Sequence, residues 1–204
     1  MGRVSDAKER LMTAATELIW SSSYGSVTID AICENASVKK GSFYYFFDSK
    51  SDLALAALLS EWEKKRPAMD ALFSVTVPPW DRLQRFFEGV YLHQAELQQR
   101  FGRVLGCPLF TLGSEVCTQD ARLLQTIDHI LMQYVKYFES AIRDCHSHGL
   151  VRCPNATSKA KLLFAYFQGI MTQARIQNCV ELIKALPDGA RDLLGFVTEE
   201  VAAA

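Results

Sequence analysis

Apolar residues recur every three to four positions along almost the whole chain, whereas alternating runs between Gly or Asn turns are scarce, so the pattern predicts an all-α protein. Leu11, Ala14, Ala15, Leu18 and Ile19 form the stripe of a first helix over about 5–22, which Tyr24-Gly25 stops. Thr28 caps a second helix to about Asn35, with Asp30 in the first turn where the helix dipole favours an acid. A third, short helix follows over about 38–45, because Ala36-Ser37 leaves room only for a tight turn. Asp48-Ser49 begins a fourth over about 49–66, carrying Leu53, Ala57 and Trp62, and Pro67 is expected to kink or end it.

A new amphipathic stretch with Leu83, Phe87, Val90 and Tyr91 on one face starts after the prolines of 74–79. Gly106 and Pro108 then punctuate a shorter helix to about Val116. Leu123, Ile127, Ile130, Leu131, Tyr134, Phe138 and Ile142 mark a long helix that Gly149 stops. Asn155 or Thr157 caps the next, running past Arg175, and a last helix is expected over about 188–201. The predicted organisation is a three-helix head over residues 1–50 and a larger helical domain over 51–204, joined by the helix at about 49–66.

Composition narrows the function classes. A hydrophobic content of 49% supplies a core, and 22 Lys plus Arg against 23 Asp plus Glu leave a net charge of −1. Any nucleic-acid contact must therefore come from a local patch. No apolar run approaches the roughly 18 residues that span a bilayer, and the first residues lack a signal-peptide core, so a cytoplasmic protein without membrane association is expected. Cys33, Cys107, Cys117, Cys145, Cys153 and Cys179 include no CxxC pair and are read as reduced thiols.

The second and third helices have the spacing of a helix-turn-helix. Within them, Thr28, Ile32, Ala36, Val38, Gly41-Ser42-Phe43-Tyr44, Phe47, Ser49-Lys50 and Leu53 form a pattern that resembles the TetR family of bacterial transcriptional repressors. Each matched residue also has a physical task. Ile32, Ala36, Val38 and Phe43 hold the helices together, while Lys39, Lys40, Ser42, Tyr44 and Tyr45 face a major groove and Gly41 permits close backbone approach. Thr28 and Lys50 stand at helix starts, where backbone N–H groups favour a phosphate. Two departures stand out. Ser37 replaces the family's turn glycine, at a cost on the order of 1 kcal/mol if its backbone is left-handed, and Phe46 replaces a common tyrosine.

The resemblance implies a homodimer built through the last two helices, a partly palindromic double-stranded DNA operator, and a ligand-sensing C-terminal domain with a small-molecule or electrophile inducer. The apolar stripes of Leu163, Phe167, Ile170, Met171, Leu193, Leu194 and Val197 agree with a buried dimer face, or else close the chain's own core. Phe87, Tyr91, Phe110, Tyr134 and Tyr166 are candidate pocket aromatics, a set that core packing explains equally well. The Gly106-Cys107-Pro108 and Gln173-Ala174-Arg175-Ile176 segments resemble the NemR-like branch, which responds to electrophiles or oxidants. That likeness implies a sensor thiol at Cys107, with Arg175 nearby where the branch usually has lysine, and Cys117 as the next candidate.

Cys145, His146, His148 and Cys153 match no common zinc spacing, so neither a metal nor another cofactor is expected. No nucleophile–base pair, carboxylate pair or phosphate loop argues for an enzyme. A helical small-molecule-binding protein that does not bind DNA is the competing reading.

Overall fold

In a computed structural model of the chain, residues 2–197 are described, and they are almost entirely helical. In chain order the helices are α1 (Gly2–Ser21), α2 (Ile29–Asn35), α3 (Lys40–Phe46), α4 (Lys50–Leu72), α5 (Pro79–Phe101), α6 (Pro108–Val116), α7 (Ala121–Ser147), α8 (Ala156–Gln177) and α9 (Leu186–Leu194), with a 3-10 turn over Val180–Ala185 before α9. The only extended pairing among the described residues is an isolated bridge between Val151 and Phe196. No helix among them is long and apolar enough to cross a membrane.

The chain divides into two compact units, Met1–Lys65 with Pro108–Ile130, and Arg66–Cys107 with Leu131–Ala204. The first unit gathers Leu11, Ala14 and Ala15 of α1, Ile32 and Ala36 of α2, Phe43 of α3 and Leu53 of α4 into one buried cluster. Cys33 is buried with them, and Val38 packs against the cluster while partly exposed. Burial of these side chains is what makes two seven-residue helices stable, since helices so short are marginal alone.

Caps fix where these helices begin and end. The Thr28 hydroxyl accepts from the Ala31 N–H at 3.1 Å at the start of α2. At the α2 end, the Ser37 N–H donates to the Glu34 carbonyl at 3.0 Å and the Val38 N–H to the Cys33 carbonyl at 2.9 Å, the paired bonds of a Schellman motif. Its price is a left-handed Ser37, at φ 52°. Ser49 opens α4 by accepting from the Asp52 N–H at 3.1 Å while donating to the Asp52 carboxylate at 2.7 Å.

The second unit packs around aromatic rings. Phe138 lies 5.2 Å from Phe86, 5.9 Å from Phe164 and 6.0 Å from Phe87, centre to centre. Arg82, only 2% exposed, is satisfied by the Val77 carbonyl at 2.8 Å and Asp144 at 2.5 Å. Leu163, Phe167, Met171 and Leu194 are buried in this core, and Ile170 and Leu193 pack against it. Those residues of the C-terminal stripes therefore close the unit itself. The large apolar side chains that α8 leaves exposed are Leu162 and Ile176.

Two boundaries differ from expectation. α4 continues through Pro67 to Leu72, because Met69 and, just beyond it, Phe73 enter the core of the second unit and offset the hydrogen bond that proline forfeits. α9 stops at Leu194, where Gly195 turns left-handed at φ 67° and its N–H donates to the Asp192 carbonyl. The expected end at Val201 lies outside the described residues.

Candidate nucleic-acid interface and thiol site

α3 presents two faces. Phe43 is fully buried, whereas Tyr44 and Tyr45 are 52% and 76% exposed. Lys39, Lys40 and Gly41 are exposed beside them and Ser42 is half-buried. Apart from its own stretch of helix, nothing lies within 4 Å of the position a Cβ would take on Gly41, so this edge of the helix is open to a close partner. Lys40 reaches across to Asp30 of α2 at 2.8 Å, which raises the pKa of its ammonium and neutralises part of the charge on this face.

Thr28 and Lys50 flank the same unit. The Thr28 oxygen accepts the capping bond, which leaves its hydroxyl hydrogen to donate elsewhere. Lys50 is half-buried and donates to the carbonyls of Tyr24 at 2.6 Å and Val27 at 2.7 Å. Burial lowers its pKa, while the Glu115 carboxylate acts in the opposite direction. Two of its three N–H donors hold the turn after α1.

Glu115 of α6 was not singled out from the sequence. Its carboxylate receives the N–H groups of Tyr24 at 2.9 Å and Gly25 at 2.6 Å. Asp120 likewise accepts from Ser51 of α4 and from the Leu123 N–H, and Arg122 pairs with Asp52 at 3.2 Å. The turn after α1 and the start of α4 are thus tied to α6 and the beginning of α7, all within the first unit. A glutamate next to the last residue of a helix carries no sequence signal of a partner ninety residues away.

In the second unit, the segment before Cys107 is held by side chains that sequence reasoning also missed. Gln94, 2% exposed, accepts from the N–H groups of Leu105 and Gly106 at 3.1 and 2.9 Å and donates to the Gly106 carbonyl at 3.1 Å. Asn178, left-handed at φ 50°, accepts from the Val104 N–H at 2.9 Å and donates to the Gly102 carbonyl at 3.2 Å. Arg175 donates to the Leu105 carbonyl at 3.0 Å. Gly106 is left-handed at φ 71°, and an added Cβ would stand 3.3 Å from the Arg175 chain. The left-handed backbone and the close Arg175 chain both favour glycine there.

This cradle delivers Cys107, half-buried, to the residue position immediately before α6. Gln168 of α8 donates to its sulfur at 3.6 Å. Arg175 is brought to the same segment, but the contact described runs from its guanidinium to the Leu105 carbonyl. Tyr134 has its phenol pKa well above the ordinary range, chiefly through burial and then through the negative charge that a Cys107 thiolate would place nearby. Cys117 belongs to the first unit, is exposed, and donates to the Ser114 carbonyl at 3.4 Å.

The remaining candidate aromatics do not share one lining. Phe87 is 1% exposed and meets Phe138 edge-on in the core of the second unit, while Tyr134 lies against Phe164 at 6.4 Å. Tyr91 bonds Glu181 at 3.3 Å, and Tyr166 bonds the Ala185 carbonyl at 3.2 Å against Gly189. Phe110 is 40% exposed in the first unit. The second unit also carries a cleft of about 380 Å³ lined by Asp70, Phe73, Gln133, Lys136, Tyr137 and Ser140. There the Tyr137 hydroxyl donates to Asp70.

His146 faces the Val151 carbonyl at 3.1 Å and His148 the Asp144 carbonyl at 2.8 Å. Among the described residues, no three His, Cys, Asp or Glu side chains gather as metal ligands.

Comparison with known proteins matches residues 11–57 to the family described as bacterial regulatory proteins, tetR family. A transcriptional regulator of Lactococcus lactis is 25% identical over 134 residues, 64% of this chain and 65% of that protein, so the chain spans just under two thirds of its length. The transcriptional repressor NemR of Escherichia coli K12 is 23% identical over 180 residues, covering 86% of this chain and 87% of its own. The crystal structure of a regulatory protein TetR from Rhodobacter sphaeroides superposes with a TM-score of 0.82 at 22% identity, covering 94% of this chain and 99% of that one.

Proposed function

Because residues 11–57 match the TetR family of bacterial regulatory proteins, we propose that this chain is a DNA-binding transcriptional repressor, released from its operator by a small molecule or by covalent change at Cys107. The observation that carries DNA binding is the face of α3, where Lys39, Lys40, Tyr44 and Tyr45 are exposed around an unobstructed Gly41. Thr28 and Lys50 flank that face with donors suited to phosphate. A homodimer through α8 and α9 would present two such faces to a partly palindromic double-stranded operator. The exposed Leu162 and Ile176 of α8 support that placement.

Support for a thiol switch comes from the cradle that fixes the backbone ahead of Cys107, from the Gln168 amide against its sulfur, and from the likeness to NemR. Cys117, exposed in the turn just after α6, is the second target. A reversible small ligand is the other form of release, favoured by the cleft at Asp70 and Tyr137. A mobility-shift titration with the DNA upstream of its own gene tests the reading. Binding is expected to be sequence-specific and salt-sensitive, and N-ethylmaleimide or hydrogen peroxide to release the wild type but not Cys107→Ser. Binding no tighter than to unrelated DNA would reject the repressor, and equal release of Cys107→Ser would reject the thiol switch.

A further inference from the structure

Gln168 and Gln94 are two glutamines buried in the same unit with opposite bonding. Both are almost wholly buried, at 3% and 2% exposure. Gln94 uses both ends of its amide, the oxygen on two N–H groups and the nitrogen on a carbonyl. Gln168 uses only its nitrogen, which donates to the Cys107 sulfur at 3.6 Å. Its oxygen is buried and has no hydrogen-bond partner. A buried carbonyl without a donor is unfavourable, and the fold satisfies the glutamine that serves only to hold backbone. The unmet acceptor belongs to the same planar group that touches the thiol.

We propose that Gln168 is a specificity-determining residue of the Cys107 site, its unmet oxygen matched to a hydroxyl placed on the sulfur. The site then favours oxidants of the hydroperoxide class over carbon electrophiles. This rests on the reading of Cys107 as the responsive thiol and names the reagent class that the surroundings of that thiol select. In the reaction the sulfur attacks the outer oxygen of a hydroperoxide and the O–O bond breaks. The departing oxygen takes the thiol proton and leaves as alcohol, or as water from hydrogen peroxide. Sulfur is oxidised by two electrons to S–OH and the peroxide is reduced by two.

The new hydroxyl is a hydrogen-bond donor, and Gln168 Oε1 is an acceptor of the same amide that already faces the sulfur. Addition of a maleimide has a different outcome. A C–S bond forms, the thiol proton passes to the neighbouring carbon, and no donor is left on sulfur for Oε1. Loss of the Nε2–sulfur contact would slow both reactions alike, because both begin with the same nucleophile. The ratio of the two rates therefore isolates the oxygen.

The test uses the full chain, with hydrogen peroxide and N-ethylmaleimide as probes and modification of Cys107 followed by mass spectrometry, the sulfenic acid being trapped with dimedone. Gln168→Met keeps side-chain length without the amide, and Gln168→Glu keeps an acceptor oxygen. The peroxide-to-maleimide rate ratio is expected to fall about five-fold in Gln168→Met, the loss of one ordinary hydrogen bond, and to stay within about two-fold of wild type in Gln168→Glu. An unchanged ratio in Gln168→Met, or an equal fall in both variants, overturns the Gln168 assignment and leaves the thiol reading standing. A wild-type Cys107 inert to both reagents overturns the thiol reading and this proposal with it.

Discussion

The Lys50 ammonium lies 4.3 Å from the centre of the Tyr24 ring and donates to the Tyr24 carbonyl at 2.6 Å. One cation therefore closes the turn after α1 from the first residue of α4, with the ring adding a cation–π contact. Lys50→Ala removes these bonds together with the cation proposed to meet a phosphate. Thermal unfolding is expected to show a loss of about 1–3 kcal/mol, and the salt dependence of DNA binding to flatten by about one unit of slope without a change of preferred sequence. A stability loss with an unaltered slope would restrict Lys50 to the turn.

Asp30 offsets the charge of Lys40 on the face that carries the exposed tyrosines. Asp30→Asn is expected to tighten binding to operator and unrelated DNA alike and to steepen the salt dependence by about one unit, since an extra cation then meets the phosphates. Titrations at two or three salt concentrations decide it. Weaker binding would mean that Asp30 positions Lys40 rather than masking it.

Glu115 is the sole side chain described on the N–H groups of both Tyr24 and Gly25. Glu115→Ala is expected to raise the hydrogen-exchange rates of these two amides at least about ten-fold and to destabilise the chain by about 1–3 kcal/mol. Unchanged exchange at both amides would show that the turn is held by Lys50 and its own backbone.

Ser37 occupies a left-handed position that costs a non-glycine residue about 1 kcal/mol. Ser37→Gly relieves the strain but frees the unfolded chain, so the expected net gain is only about 0.5 kcal/mol. Urea unfolding should show a higher midpoint at constant m-value. A lower midpoint would mean that the serine side chain repays its strain.

Burial pushes the Cys145 thiol up to about 11. The unfolded thiol ionises near 9, so above that pH the unfolded state has lost a proton that the folded state still holds. Stability must then fall as pH rises from about 9 to 11, by up to about 2 kcal/mol, and be unaffected by this group below pH 8. Denaturation of wild type and Cys145→Ala at pH 8 and pH 10.5 isolates it, since the variant should show the shallower alkaline loss.

The head was readable because its residue types answer to local geometry. A hydroxyl at Thr28 caps a helix, Phe43 fills the space between two others, and the tight turn at Ser37 follows from the short gap between helical stripes. The stripes near the C-terminus were read correctly as buried but left open as to what buries them, since periodicity marks a face and not its partner. Leu163, Phe167 and Leu194 turn out to meet their own unit. Glu115, Gln94, Gln168 and Asn178 were illegible for another reason. They are polar residues with no period, whose partners lie from eleven to ninety-one positions away.

The pinning of the stretch from Gly102 to Gly106 bears on how that stretch can move. Gln94 grips two neighbouring amides and a carbonyl at once, Arg175 takes the Leu105 carbonyl between those amides, and Asn178 takes the groups just before them. No one of these bonds can lengthen far while its neighbours hold. The stretch is therefore expected to open as one piece. Whatever loosens it should accordingly raise the hydrogen-exchange rates of the Val104, Leu105 and Gly106 amides together, not one by one.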